Sequence, residues 1–97
     1  MIEREFVLRW RLGARASISV ASRAKGFQSK IKACHGGLVV DAKEMLGLML
    51  LGPNERGADG NYPGPLPGTT IKITVDGPDE KQAMESMAQL LEAPDWS

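Results

Sequence analysis

Hydrophobic and polar residues alternate over residues 4–10. Phe6, Leu8 and Trp10 fall on one side and Glu5, Val7 and Arg9 on the other, which predicts a half-buried strand. At Ala14 the period changes. Ala16, Val20 and Ala24 recur every four residues and Ala14, Ile18 and Ala21 widen the stripe, predicting a helix with one face on a core. Lys25-Gly26 ends it, a basic last turn followed by glycine. Residues 28–34 and 37–42 read as two strands joined by a tight His35-Gly36-Gly37 turn, with Leu38, Val40 and Ala42 sharing an inner face with Ile31 and Ala33. Lys43 to Leu51 reads as a short helix. Residues 69–75 alternate again, with Ile71, Ile73 and Val75 inward. Asp76-Gly77-Pro78-Asp79-Glu80 then opens a last helix that buries Met84, Met87, Ala88 and Leu91 and stops at Pro94.

Between these elements, Gly52 to Gly68 holds Pro53, Gly57, Gly60, Pro63, Gly64, Pro65 and Pro67, a composition no regular element survives. Loops beyond about 12–15 residues are uncommon in compact domains and tend to be functional or disordered. Tyr62 and Leu66 are the residues of this loop able to pack, and its anchor points put it beside the second helix, where it is expected to cover part of the outer surface. The element order is β-α-β-β-α-β-α. It predicts an α+β, two-layer open-faced sandwich: a four-stranded antiparallel sheet with three helices on one face. A ferredoxin-like β-α-β-β-α-β domain competes, but the short helix at 43–51 and the third helix favour the first arrangement.

Ninety-seven residues make one domain, 1–97, with an inserted loop at 53–67. Twelve basic and twelve acidic side chains cancel, which argues against a nucleic-acid or anionic-membrane surface. No apolar run reaches a membrane span, and Met1-Ile2-Glu3-Arg4-Glu5 lacks signal-peptide architecture. Cys34 is the single cysteine, so no internal disulfide forms and a reducing cytoplasm is the expected compartment. No metal-ligand cluster, cofactor motif, paired carboxylates or nucleophile–base pair is visible, so no enzyme chemistry, metal or cofactor is expected.

Candidate chemistry concentrates where the first strand runs into the first helix, at Trp10-Arg11-Leu12-Gly13-Ala14-Arg15-Ala16. A helix start offers free backbone N–H groups, which makes Gly13, Ala14 and Arg15 anion-binding candidates, although a solvated Arg15 beside an ordinary helix cap explains them equally simply. With Ala24-Lys25-Gly26-Phe27, this stretch resembles the active-site segment of the HPr family, the histidine phosphocarriers of the bacterial sugar phosphotransferase system. That family reads Gly-Leu-His-(Ala/Thr)-Arg-Pro-Ala here. The resemblance implies that Arg15 is the family arginine, that Arg11 replaces a glycine and Ala16 a proline, and that Gly13 stands where the phosphoryl-accepting histidine belongs. The resemblance runs from Glu5 to about Glu92. Glycine has no nitrogen nucleophile, so carriage at Gly13 is excluded. Among substitutes, His35 lies in a turn, adjacent Cys34 and His35 point to opposite faces, and Ser17 and Ser19 lack a general base.

Asp41-Ala42-Lys43-Glu44-Met45-Leu46-Gly47-Leu48-Met49-Leu50-Leu51-Gly52 resembles the family's second-helix segment, in which a serine is phosphorylated in some members. Glu44 takes that regulatory position and cannot be phosphorylated. It reads as a helix-starting acid, with permanent mimicry of phosphoserine as the sharper alternative. The resemblance implies a protein partner docking on the first-helix start and second helix, through Trp10, Arg15, Met45, Leu46, Met49 and Leu50. The expected function is that of a non-phosphorylatable regulatory or interaction module. The alternative is a working phosphocarrier with another acceptor.

Overall fold

The computed structural model describes residues 1–52 and 63–92. The elements are β1 (Ile2–Val7), α1 (Ala14–Lys25), β2 (Lys30–His35), β3 (Leu38–Asp41), α2 (Met45–Met49), β4 (Thr70–Asp76) and α3 (Glu80–Glu92). The sheet has strand order β1-β4-β2-β3 and every pairing is antiparallel. This is the expected open-faced sandwich. Alternation puts Phe6, Ile31, Ala33, Ile71, Ile73 and Val75 on the helix-covered face, where they meet Val20, Ala24, Leu48, Met84, Met87 and Leu91.

The boundaries move where side chains capture backbone groups. β1 spans Ile2–Val7 rather than residues 4–10. Its pairing trails off beyond Val7: the Leu8 N–H donates to the Thr69 carbonyl at 2.9 Å and the Gly68 N–H to the Leu8 carbonyl at 2.7 Å. Trp10 therefore lies past the strand, half-buried against the core. β2 begins at Lys30, not at residue 28, because the Gln28 and Ser29 N–H groups donate to the Asp79 carboxylate at 2.8 and 2.9 Å instead of to a strand. In the β2–β3 turn, Gly36 and Gly37 take φ of 56° and 84°, the paired left-handed geometry that a two-residue hairpin needs. Leu38 pairs with His35 at the margin of the sheet and is 44% exposed, which corrects its expected inner place; Val40 and Ala42 do face inward. The stop at Pro94 lies outside the described residues.

The Asp79 clasp joins the α1–β2 and β4–α3 connections. The Ser29 hydroxyl also donates to Asp79, and Gly77 is so close that a Cβ there would stand 2.6 Å from the Ser29 Cα. The Ser29 hydroxyl first, then the Gln28 N–H, hold the Asp79 carboxyl below its ordinary range. A carboxylate with a lowered pKa in the folded state stabilises above the unfolded carboxyl's range of about 3.9 and ceases to as pH falls through the folded value. Asp79→Asn is therefore expected to lower the denaturation midpoint at pH 7. The gap to wild type should narrow steadily in acid, and a gap that does not change between pH 7 and pH 2 would contradict the clasp.

Candidate functional site

α1 starts at Ala14 with Gly13 as its N-cap. Gly13 has φ −81° and ψ −163°, an extended conformation open to any residue, so the backbone does not require glycine there. No side chain caps the helix, and its first turn carries no acid. Leu12, fully buried, anchors the junction. Its N–H donates to the Pro65 carbonyl at 2.8 Å, and its own carbonyl accepts the Ser17 hydroxyl at 3.2 Å. Ser17 is fully buried and spent on that bond, so it presents no nucleophile. Gly13 is itself buried, with the Arg11 guanidinium across it: a Cβ at position 13 would stand 3.1 Å from Nε and 3.3 Å from Nη2 of Arg11. Ala14 and Arg15 are exposed.

The described end of the long loop forms a strap against this junction. Gly64, with φ 76°, lies against Leu12, and a Cβ on it would stand 2.0 Å from the Leu12 carbonyl oxygen. On its other side is Gly52, whose own Cβ would stand 2.2 Å from the Gly64 carbonyl. Pro65 is fully buried. The strap therefore wedges between the start of α1 and the end of the α2 segment instead of lying over the outer surface of α2. Leu66, expected to pack, is 44% exposed. Tyr62 lies outside the described residues.

α2 is a single five-residue turn, not the helix expected over residues 43–51. The residues before it form a turn in which the Asp41 carboxylate accepts the Lys43 N–H at 2.9 Å and the Asp41 carbonyl accepts the Glu44 N–H at 3.1 Å. Glu44 is consequently the N-cap, extended and exposed, and its carboxylate caps nothing; it does not sit in the first helical turn. The apolar side chains of this segment divide in two. Leu46 is 59% exposed and Met45 is at the surface, whereas Met49 is only 6% exposed and Leu50 is half-buried. Burial of Met49 corrects its expected place on the docking surface. Such a short turn has only one outward side, and Met45 and Leu46 occupy it. Ile18, 52% exposed on α1, adds an apolar surface residue that the periodicity of α1 had assigned to the core stripe.

His35 is exposed at the hairpin, with Nδ1 2.9 Å from the Thr70 carbonyl. Cys34 is half-buried and registers against Lys72 and Val39, across the open face of the sheet. No group of three His, Cys, Asp or Glu residues among those described could hold a metal, and no helix among them is long and apolar enough to cross a membrane.

The domain is an open-faced β-α-β-β-α-β-α sandwich with Arg15 in the first turn of its first helix. A family model described as the PTS HPr component phosphorylation site matches residues 64–93, which include the strap, β4 and α3. The phosphocarrier protein HPr of Cupriavidus necator is 32% identical over 93 residues, covering 94% of this chain and 91% of that protein. The HPr of Xylella fastidiosa is 32% identical over 94 residues, covering 95% and 92%. The crystal structure of HPr-C-His from Thermoanaerobacter tengcongensis superposes with a TM-score of 0.80 at 25% identity, over 97% of this chain and 94% of that one. The chain belongs to the HPr family, whose members are phosphocarriers of the phosphotransferase system, not catalytic enzymes.

Proposed function

We propose that this domain is an HPr-family protein that binds a protein partner without carrying a phosphoryl group. The observation behind this reading is Gly13 at the N-cap of α1: residue 13 has no side chain to accept a phosphoryl group, and the Ser17 hydroxyl one turn on is buried and bonded to Leu12. The partner face consists of Ile18, Met45 and Leu46, bordered by Arg15 and by the positive end of α1. Trp10 and Leu50 support it from half-buried places, and Met49 supports it from beneath. Gly13, Ala14 and Arg15 meet a partner's acidic group at this end. Glu44, exposed beside Met45, fixes a negative charge where some family members add one by modification. The reading suits a cytoplasmic regulatory role in sugar transport.

The test is incubation of the purified protein with labelled phosphoenolpyruvate and the first enzyme of the relay, with an ordinary HPr as the positive control. No label on this chain is the expected result. A labelled chain would defeat the proposal and restore the carrier reading, with His35 the first position to map.

A further inference from the structure

Position 13 is small and position 11 is large, and the two side-chain volumes meet. The Nε, Nη2 and Cζ atoms of Arg11 all lie 3.1–3.4 Å from the point where a Cβ on residue 13 would stand. Contacts this short are tighter than ordinary van der Waals separation between side chains. The guanidinium thus lies where a residue-13 side chain would leave the backbone, while the Gly64 strap lies against Gly13 as well, a Cβ on Gly64 standing 3.3 Å from the Gly13 Cα. Glycine is not demanded by φ and ψ here, so the vacancy is a matter of occupancy, not conformation. We propose that the Arg11 guanidinium covers the place from which a residue-13 side chain would leave the backbone, so that a side chain at 13 must displace Arg11, an exposed residue, to reach solvent. This rests on the reading that carriage at position 13 has been lost, and it adds that a histidine there is not sufficient to recover a free imidazole.

The experiment needs no relay partner, so its failure is separable from failure of the functional reading. Gly13→His and Arg11→Gly/Gly13→His are treated with diethyl pyrocarbonate, with His35 as the internal reference. Adding Arg11→Gly is expected to speed modification of the introduced imidazole by about twofold or more, the low end of couplings between touching side chains, and to leave the rate at His35 unchanged. Equal rates in the two variants would overturn the proposal. Should a histidine variant fail to fold, Gly13→Ala asks the same question through its thermal midpoint. Its loss is expected to be larger with Arg11 present than in the Arg11→Gly background, where only the poorer N-cap remains, and an equal loss in both backgrounds overturns the coupling.

Discussion

Gly64→Ala is expected to cost about 3 kcal/mol or more of folding stability, the sum of left-handed strain on a non-glycine residue and overpacking against fixed backbone. The added methyl group would stand 2.0 Å from the Leu12 carbonyl oxygen and 2.8 Å from its carbon, with φ at 76°. Neither neighbour is a flexible side-chain tip that could swing aside. Relief requires the strap to lift, and lifting it breaks the 2.8 Å bond from the Leu12 N–H to the Pro65 carbonyl and uncovers buried Pro65. Gly68→Ala is the control. Its φ is 91°, but nothing lies within 4 Å of its would-be Cβ, so strain acts alone and the expected loss is about 1–2 kcal/mol. Denaturant titration of both variants separates the two effects. A Gly64→Ala loss no larger than that of Gly68→Ala would mean that the strap does not press on the start of α1.

That strap marks the limit of what the chain's pattern reveals. Period-2 and period-4 repeats located β1, α1, β4 and α3 because each buries a regular stripe, and Ile71, Ile73 and Val75 are inward as their alternation requires. The family was equally legible, since the resemblance ran over most of the chain and the HPr relatives are 32% identical across 94–95% of it. Lys43 to Leu51 misled because its apolar residues, Met45 to Leu51 with only Gly47 between them, carry no period. Met49 turns inward and Leu46 outward only once the Asp41 turn has used up residues 41–44 and set the phase of a five-residue helix. Within Pro63–Gly68, composition excluded regular structure, but nothing local distinguishes buried Pro65 from exposed Leu66. That difference comes from the Leu12 N–H, more than fifty residues earlier in the chain. Arg11 was legible as a departure from the family pattern; that it fills the space above Gly13 is a property of the folded junction alone.

The proposed cover of position 13 by Arg11 has a consequence for phosphoryl transfer. Arg11→Gly/Gly13→His is expected to take label from phosphoenolpyruvate through the first enzyme of the relay, whereas the wild-type chain takes none. The start of α1 is uncapped with no acid in its first turn, Arg15 is exposed, and Ile18 and Leu46 face outward. On the proposed reading these would supply positive potential and a docking face, and the introduced imidazole the attacking nitrogen, whose lone pair would form the new bond to phosphorus as the donor's bond to phosphorus breaks. Gly13→His alone should be slower by about tenfold, the rate equivalent of a ~1.4 kcal/mol cost to displace the guanidinium from beside the imidazole. Equal rates would mean that Arg11 swings away freely during docking. If the double variant stays unlabelled while its imidazole reacts readily with diethyl pyrocarbonate, the docking face has diverged along with the acceptor, and the partner of this domain then lies outside the relay's first step.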